Sequence, residues 1–146
     1  TELFYFHIMN KIAKLKTCDW SLLLLAAGIF TSGIYLEITH SSGLAAVWIH
    51  IALGILFFIS VAYHIFLHFG KSNWFERFHK LKSQFTRVLW WISLATLITG
   101  IISCVHRFIT LSHSPIGGIH GKIGFLMILL CIGHICKRIK FFKSRR

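Results

Sequence analysis

The sequence predicts an all-α integral membrane protein, a four-helix bundle made of two tandem helical hairpins with both termini in the cytoplasm. Hydrophobic residues make up 55% of its 146 residues, and a mean hydropathy of +0.71 is too high for a soluble domain of this size, which needs a polar exterior. Four apolar stretches are each long enough to cross a hydrocarbon core, which takes about 20 helical residues. We therefore expect one membrane domain over residues 1–146.

The boundaries of the helices follow from these apolar stretches. Thr17 or Asp19 is a candidate N-cap for the first helix, because short polar side chains accept hydrogen bonds from unpaired N–H groups. Residues 1–17 form a possible amphipathic helix on the membrane surface, since aromatic and aliphatic side chains precede their lysines. The four spanning helices are expected near residues 20–38, 45–67, 88–108 and 119–136.

Positive charge is distributed unevenly between the loops. Of the 16 Lys and Arg residues, three precede the first helix, five lie between the second and third, and six follow the fourth, whereas the loop between the first and second has none. By the positive-inside rule both termini are cytoplasmic. The net charge of +12 is then typical of a cytoplasmic membrane face, and we expect a multi-pass protein of the bacterial inner membrane that binds no nucleic acid.

An internal repeat relates the second helix to the fourth. His50-Ile-Ala-Leu-Gly54 aligns with His120-Gly-Lys-Ile-Gly124, and ten residues after each glycine stands a second histidine, His64 or His134. The first and third helices match more faintly, through Thr31-Ser-Gly33 and Ile98-Thr-Gly100. The chain is therefore interpreted as two tandem hairpins related by an axis along the membrane normal.

The spacing of the histidines places both on one face of each helix. Fourteen residues turn through about 1400°, roughly 40° short of four turns, and rise about 21 Å. Each helix thus carries one histidine near each edge of the hydrocarbon core. Because the second and fourth helices run in the same direction, equal depth pairs His50 with His120 near the outer face and His64 with His134 near the inner face.

Haem suits these pairs, because its iron takes one imidazole on each side of the ring and its macrocycle needs an apolar slot. A structural zinc site needs four ligands, and the four cysteines form neither CxxC nor CxxCH. We expect two non-covalent bis-histidine haem b groups, with Gly54 and Gly124 leaving room for porphyrin and Gly33 and Gly100 doing the same. The alternative is four ordinary histidines hydrogen-bonded across the bundle, but such polar groups are costly in hydrocarbon unless partnered.

At these four histidines the sequence resembles the di-haem b-type cytochromes. The pattern is similar to that of the b subunit of quinol:cytochrome c oxidoreductases, of the membrane domains of ferric reductases and NADPH oxidases, and of small bacterial four-helix membrane proteins. The resemblance implies bis-histidine haem b and electron transfer. Unlike the larger relatives, this sequence shows no extra helices of the kind that form their quinone pockets, and unlike the reductases it shows no flavin and nicotinamide domain. Either function would therefore need a partner or an improvised site.

Three charged residues complete the candidate site. Glu37 is expected near the outer hydrocarbon edge, where it is a candidate to accept a proton from a quinol. Pairing with Arg107 or Lys122 is the alternative for this carboxylate. The same two cations are candidates to bind haem propionates, because a dianionic edge attracts positive charge.

Three functions follow as expectations. The first is transfer of electrons across the membrane by the two haems, between a quinone pool and a redox partner protein or larger respiratory complex. The second is an oxidoreductase acting directly on quinol, superoxide or a metal at a haem edge. The third is a haem-free structural or assembly subunit, and the sequence alone leaves the assignment as an enzyme open.

Overall fold

A computed structural model of the chain describes residues 2–40, 43–70, 76, 83–110 and 115–143, with side chains described from Met9 to Lys137 within those ranges. These residues are almost entirely helical, and no strand occurs among them. The all-α class is therefore confirmed for this part of the chain. Its long helices are α1 (Glu2–Ile38), α2 (Leu44–Phe69), α3 (Gln84–Thr110) and α4 (Pro115–Lys143).

The first helix begins much earlier than predicted. It starts at Glu2 rather than near residue 20, because the lysine-rich segment before the apolar run has no proline or glycine to end it. Thr17 and Asp19 therefore lie inside α1, and the prediction that one of them caps it is wrong. Thr17 Oγ1 donates instead to the carbonyl of Ala13, one turn back, at 3.1 Å. Placement of residues 1–17 on a membrane surface stays a prediction.

Within the described residues, four helices are long and apolar enough to cross a membrane. Many of their large apolar side chains are exposed, including Leu24 at 71% and Ile38 at 74%. Such apolar surface suits lipid better than water. The chain is thus a candidate multi-pass membrane protein, and its orientation stays a prediction. The spans are Met9–Ile38, Leu44–Phe69, Gln84–Thr110 and Pro115–Lys137.

The chain divides into two compact units, residues 1–79 and residues 80–146. In the first unit α1 packs against α2, and in the second α3 packs against α4. The division into two tandem hairpins is therefore confirmed, whereas their assembly into one bundle stays a prediction. In the first unit, Cys18 is buried and its Sγ lies 3.7 Å from the carbonyl oxygen of Ser60. In the second, Thr96 and Met127 are buried.

Candidate functional site

His50 is held by a hydroxyl group on the neighbouring helix of its own hairpin. Its Nδ1 lies 2.8 Å from Oγ of Ser32, on α1. A hydroxyl has one hydrogen, and Ser32 donates it to the carbonyl of Ile29 at 3.0 Å. Ser32 Oγ thus lies within hydrogen-bond distance of both the Ile29 carbonyl and Nδ1 of His50. When Nδ1 is the donor to Ser32, the lone pair that can bind a metal lies on Nε2.

His120, the repeat counterpart of His50, is held in the same way by α3. Its Nδ1 lies 3.1 Å from the carbonyl oxygen of Thr96, which can only accept. The Nδ1 also lies 3.4 Å from Oγ1 of Thr99, a hydroxyl that donates to the carbonyl of Ala95 at 2.8 Å. Both contacts require a hydrogen on Nδ1, so the lone pair of His120 is on Nε2 as well.

A glycine lies against the imidazole in each of these two sites. A Cβ built on Gly100 would lie 2.9 Å from Cε1 of His120, and one built on Gly33 would lie 3.5 Å from Cε1 of His50. Gly100 therefore makes room for the His120 ring, whereas 3.5 Å at Gly33 is ordinary van der Waals contact. Ser32-Gly33 and Thr99-Gly100 occupy equivalent positions in the faint repeat, and each pair lies next to the histidine of its own hairpin. That these glycines leave room for a porphyrin stays a prediction.

His64 is held by a carboxylate. Its Nδ1 lies 2.9 Å from Oδ1 of Asp19, on α1, and the side chains are 28% and 13% exposed respectively. The two atoms are buried and form an ion-pair contact, with a geometry outside that of a hydrogen bond. The His68 ring lies one turn further along α2, with its centroid 4.6 Å from that of His64. Both His50 and His64 thus contact α1, as expected for residues on one face of α2.

Asp19 is the charged residue of this site that sequence reasoning missed, since it was considered only as a helix cap; the neutral partners Ser32, Thr96 and Thr99 were not identified either. The signal was present: Asp19 is an aspartate within the first apolar span. An ionisable residue in such a span is expensive without a partner and is therefore a functional candidate by default. What the sequence could not supply was the partner, because His64 is distant along the chain.

His134, the counterpart of His64 in the repeat, is half-buried in α4. The preceding Gly133 allows close packing of α3 on α4, because a Cβ there would lie 2.8 Å from Cζ of Phe85. The alignment of α1 with α3 that matches Ser32 with Thr99 also matches Asp19 with Thr86. The second hairpin therefore has a hydroxyl where the first has a carboxylate.

The two other predicted glycines leave space on the histidine-bearing helices. A Cβ on Gly54 would meet nothing within 4 Å, and one on Gly124 would come only to 3.8 Å from Cγ2 of Thr96. At both positions the glycine leaves space beside the helix, as a flat ligand there requires.

The predicted charged residues lie near the helix ends that adjoin His50 and His120. Glu37 is exposed in the last turn of α1. Arg107, half-buried in the last turn of α3, follows Gly100 by seven residues and so shares its face, within about 20°. Lys122 is exposed and lies about 200° around α4 from His120. Arg107 therefore lies on the same face of α3 as Gly100, which contacts His120. Lys122 lies on nearly the opposite side of α4 from His120.

The donor set fits a haem better than a bare metal ion. Within the described ranges, no three His, Cys, Asp or Glu side chains come together to hold an ion. A haem iron needs only two axial ligands from the protein, and the porphyrin supplies the other four. Single histidines spaced along one face of a helix, with a polar partner at Nδ1 as in His50, His64 and His120, suit that need.

Fold and site together define a helical protein with four candidate membrane spans, in which histidines within the spans are held by polar groups of the adjacent helix. No protein-family model matches the chain, and neither a curated protein nor a solved structure is significantly similar to it. The case for function therefore depends on the residues themselves.

Proposed function

We propose that this chain is a di-haem cytochrome b of the bacterial inner membrane. His50 and His120 ligate one haem b, and His64 and His134 ligate the other. The bound haems supply reversible one-electron chemistry at iron. Electrons pass between a quinone pool and a redox partner protein or larger respiratory complex.

The observation that carries the proposal is that a polar group of the adjacent helix lies close to Nδ1 of three candidate ligands. The nearest atom is a serine hydroxyl at 2.8 Å for His50, a carboxylate at 2.9 Å for His64 and a backbone carbonyl at 3.1 Å for His120. Histidines that bind metals through Nε2 almost always have such a partner at the other ring nitrogen, which orients the ring. The contacts of His50 and His120, which are counterparts in the repeat, support ligation more strongly than hydrogen-bonded packing alone.

The pairing of the ligands rests on the sequence. His50 and His120 occupy equivalent positions of the repeat, as do His64 and His134. If the two hairpins cross the membrane in the same direction, equivalent positions have equal depth, and one ligand from each hairpin meets the same iron. The separation of about 21 Å along each helix then places the two haems near opposite edges of the hydrocarbon core.

Other residues of the chain complete the proposed site. Gly54 and Gly124 leave the porphyrin room beside α2 and α4. Arg107 is the better placed of the two cations to neutralise a haem propionate, because it lies on the same face of α3 as the glycine that contacts His120; Lys122 is the second candidate. Glu37 is the candidate acceptor for a proton released by a quinol.

An absorption spectrum and a haem assay of the purified protein test the proposal. Protein from haem-replete cells is expected to contain about two haem b per chain, both reducible. Carbon monoxide should leave the reduced spectrum unchanged, because two axial histidines leave no open position on the iron. A protein that folds and inserts but shows no reducible haem band would overturn the proposal.

A haem-free structural or assembly subunit is the second candidate, favoured by one observation. The three histidines contact the adjacent helix of their own hairpin, and hydrogen bonds of this kind hold membrane helices together. The same haem assay separates the two functions, because a structural subunit is complete without haem. A stable protein of unchanged fold with no haem would favour this second candidate.

A further inference from the structure

A carboxylate inside the first hairpin sets one candidate ligand apart from the others. Asp19 and His64 lie within one unit, with their oxygen and nitrogen atoms 2.9 Å apart, and Asp19 is largely shielded from solvent at 13% exposure. The partners described for His50 and His120 are a serine hydroxyl, a backbone carbonyl and a threonine hydroxyl, all neutral. The difference is one of charge and not only of geometry.

We propose that Asp19 is a positioning residue for the haem ligated by His64, and that its carboxylate gives this haem a lower reduction potential than it would otherwise have. This inference rests on the proposed haem function and deepens it.

The physical reason lies in the negative charge beside Nδ1. A carboxylate 2.9 Å from Nδ1 stabilises positive charge on the imidazole and makes it a more basic ligand at Nε2. A more basic ligand stabilises the oxidised iron, which carries the greater positive charge, more than the reduced iron. Because Asp19 is shielded, its charge is weakly screened and acts more strongly than a surface carboxylate would.

The repeat predicts that this effect is confined to one haem. Thr86 occupies the position in the second hairpin that corresponds to Asp19 in the first, and its hydroxyl donates at 3.2 Å to Oγ of Ser83, the residue just before α3. The chain therefore carries the carboxylate once, although the histidines are duplicated. Two haems of otherwise matched ligation are expected to differ in potential, which would give electron transfer a preferred direction.

Redox titration of the intact haem-loaded protein tests the inference. Asp19→Asn removes the charge while keeping a group of the same shape. It is expected to shift the redox equilibrium of one haem about tenfold toward reduction, an increase of about 59 mV for one electron. Asp19→Glu should restore most of the shift, and the second haem should not move. Ser21→Ala is the matched control on α1, because that hydroxyl donates to the carbonyl of Thr17 within its own helix at 2.9 Å.

A second measurement identifies the haem concerned. His64→Ala should remove the same haem that Asp19→Asn shifts, as followed by the low-spin ferric signal in electron paramagnetic resonance. If Asp19→Asn lowers haem content, loss of that single signal with recovery in Asp19→Glu supports the inference, whereas loss of both signals without recovery overturns it. Two haems with potentials unchanged in Asp19→Asn would also overturn it. Wild-type protein without haem would instead overturn the proposed function, so the two failures are distinguishable.

Discussion

The Gly100 backbone and the His120 ring are in direct contact, and no larger residue fits at position 100 without moving the ring. A Cβ there would lie 2.9 Å from Cε1 and 3.2 Å from Nδ1 of His120. The same ring donates from Nδ1 to the carbonyl of Thr96, one turn back along α3. The glycine and the carbonyl together fix both the distance and the rotation of the imidazole.

Gly100→Ala is therefore expected to displace His120 and to weaken haem binding at that ligand. Loss of an orienting contact of this kind costs metal sites about 10-fold to 100-fold in affinity. A haem assay under limiting haem should show one haem retained and one lost. Gly118→Ala, on exposed backbone of α4 where a Cβ would meet nothing within 4 Å, is the matched control. Full occupancy of both haems in Gly100→Ala would contradict the prediction.

The pairing of ligands across the two hairpins makes its own prediction. His50→Ala and His120→Ala should remove the same haem, because each takes one axial ligand from one iron, and His64→Ala and His134→Ala should remove the other. Spectra and potentials of the haem that remains in each variant report which one was lost. If His50→Ala and His64→Ala each remove the same single haem, the pairing by equal depth is wrong.

The hydrogen bond between Ser32 and His50 should be measurable without haem. Interhelical hydrogen bonds of this kind in membranes contribute about 0.6 kcal/mol on average and up to about 1.7 kcal/mol. A double-mutant cycle with Ser32→Ala and His50→Ala, followed by unfolding of the apoprotein in mixed detergent, should give a coupling energy in that range. Ser21→Ala should show no coupling to His50→Ala. Strict additivity of Ser32→Ala and His50→Ala would contradict the contact.

Orientation in the membrane can be tested from the charge distribution. Six Lys and Arg residues lie between positions 137 and 146, at the end of α4 and after it, whereas residues 39–43, between α1 and α2, include none. A phosphatase reporter that needs export should therefore be active when inserted after His40 and inactive when fused after Arg146. A fluorescent reporter that needs the cytoplasm should give the opposite result at the two positions. Activity of the phosphatase after Arg146 would reverse the predicted topology.

How much could be predicted from the sequence depends on whether a feature is local. The spans of α2, α3 and α4 follow from apolar runs, and the common face of His50 and His64 follows from helical periodicity. The start of α1 was missed, because hydropathy marks the edge of an apolar run and not the end of a helix. The partners of the histidines, Asp19 and Ser32, lie on another helix, and no pattern within one helix identifies them.

The candidate proton acceptor supplies the last prediction. Glu37 follows Gly33 by one helical turn on nearly the same face of α1, so it lies beyond the glycine that contacts His50, toward the end of the helix. If quinol is oxidised at that haem, Glu37→Gln should slow haem reduction by quinol about 100-fold, the lower range for loss of a general base. Reduction by dithionite, which needs no proton acceptor, should be unchanged, as should haem content. Glu76→Gln, at another exposed glutamate, is the control. A wild-type rate with quinol in Glu37→Gln would show that the proton leaves by another group, and would favour a relay that receives its electrons from a partner protein.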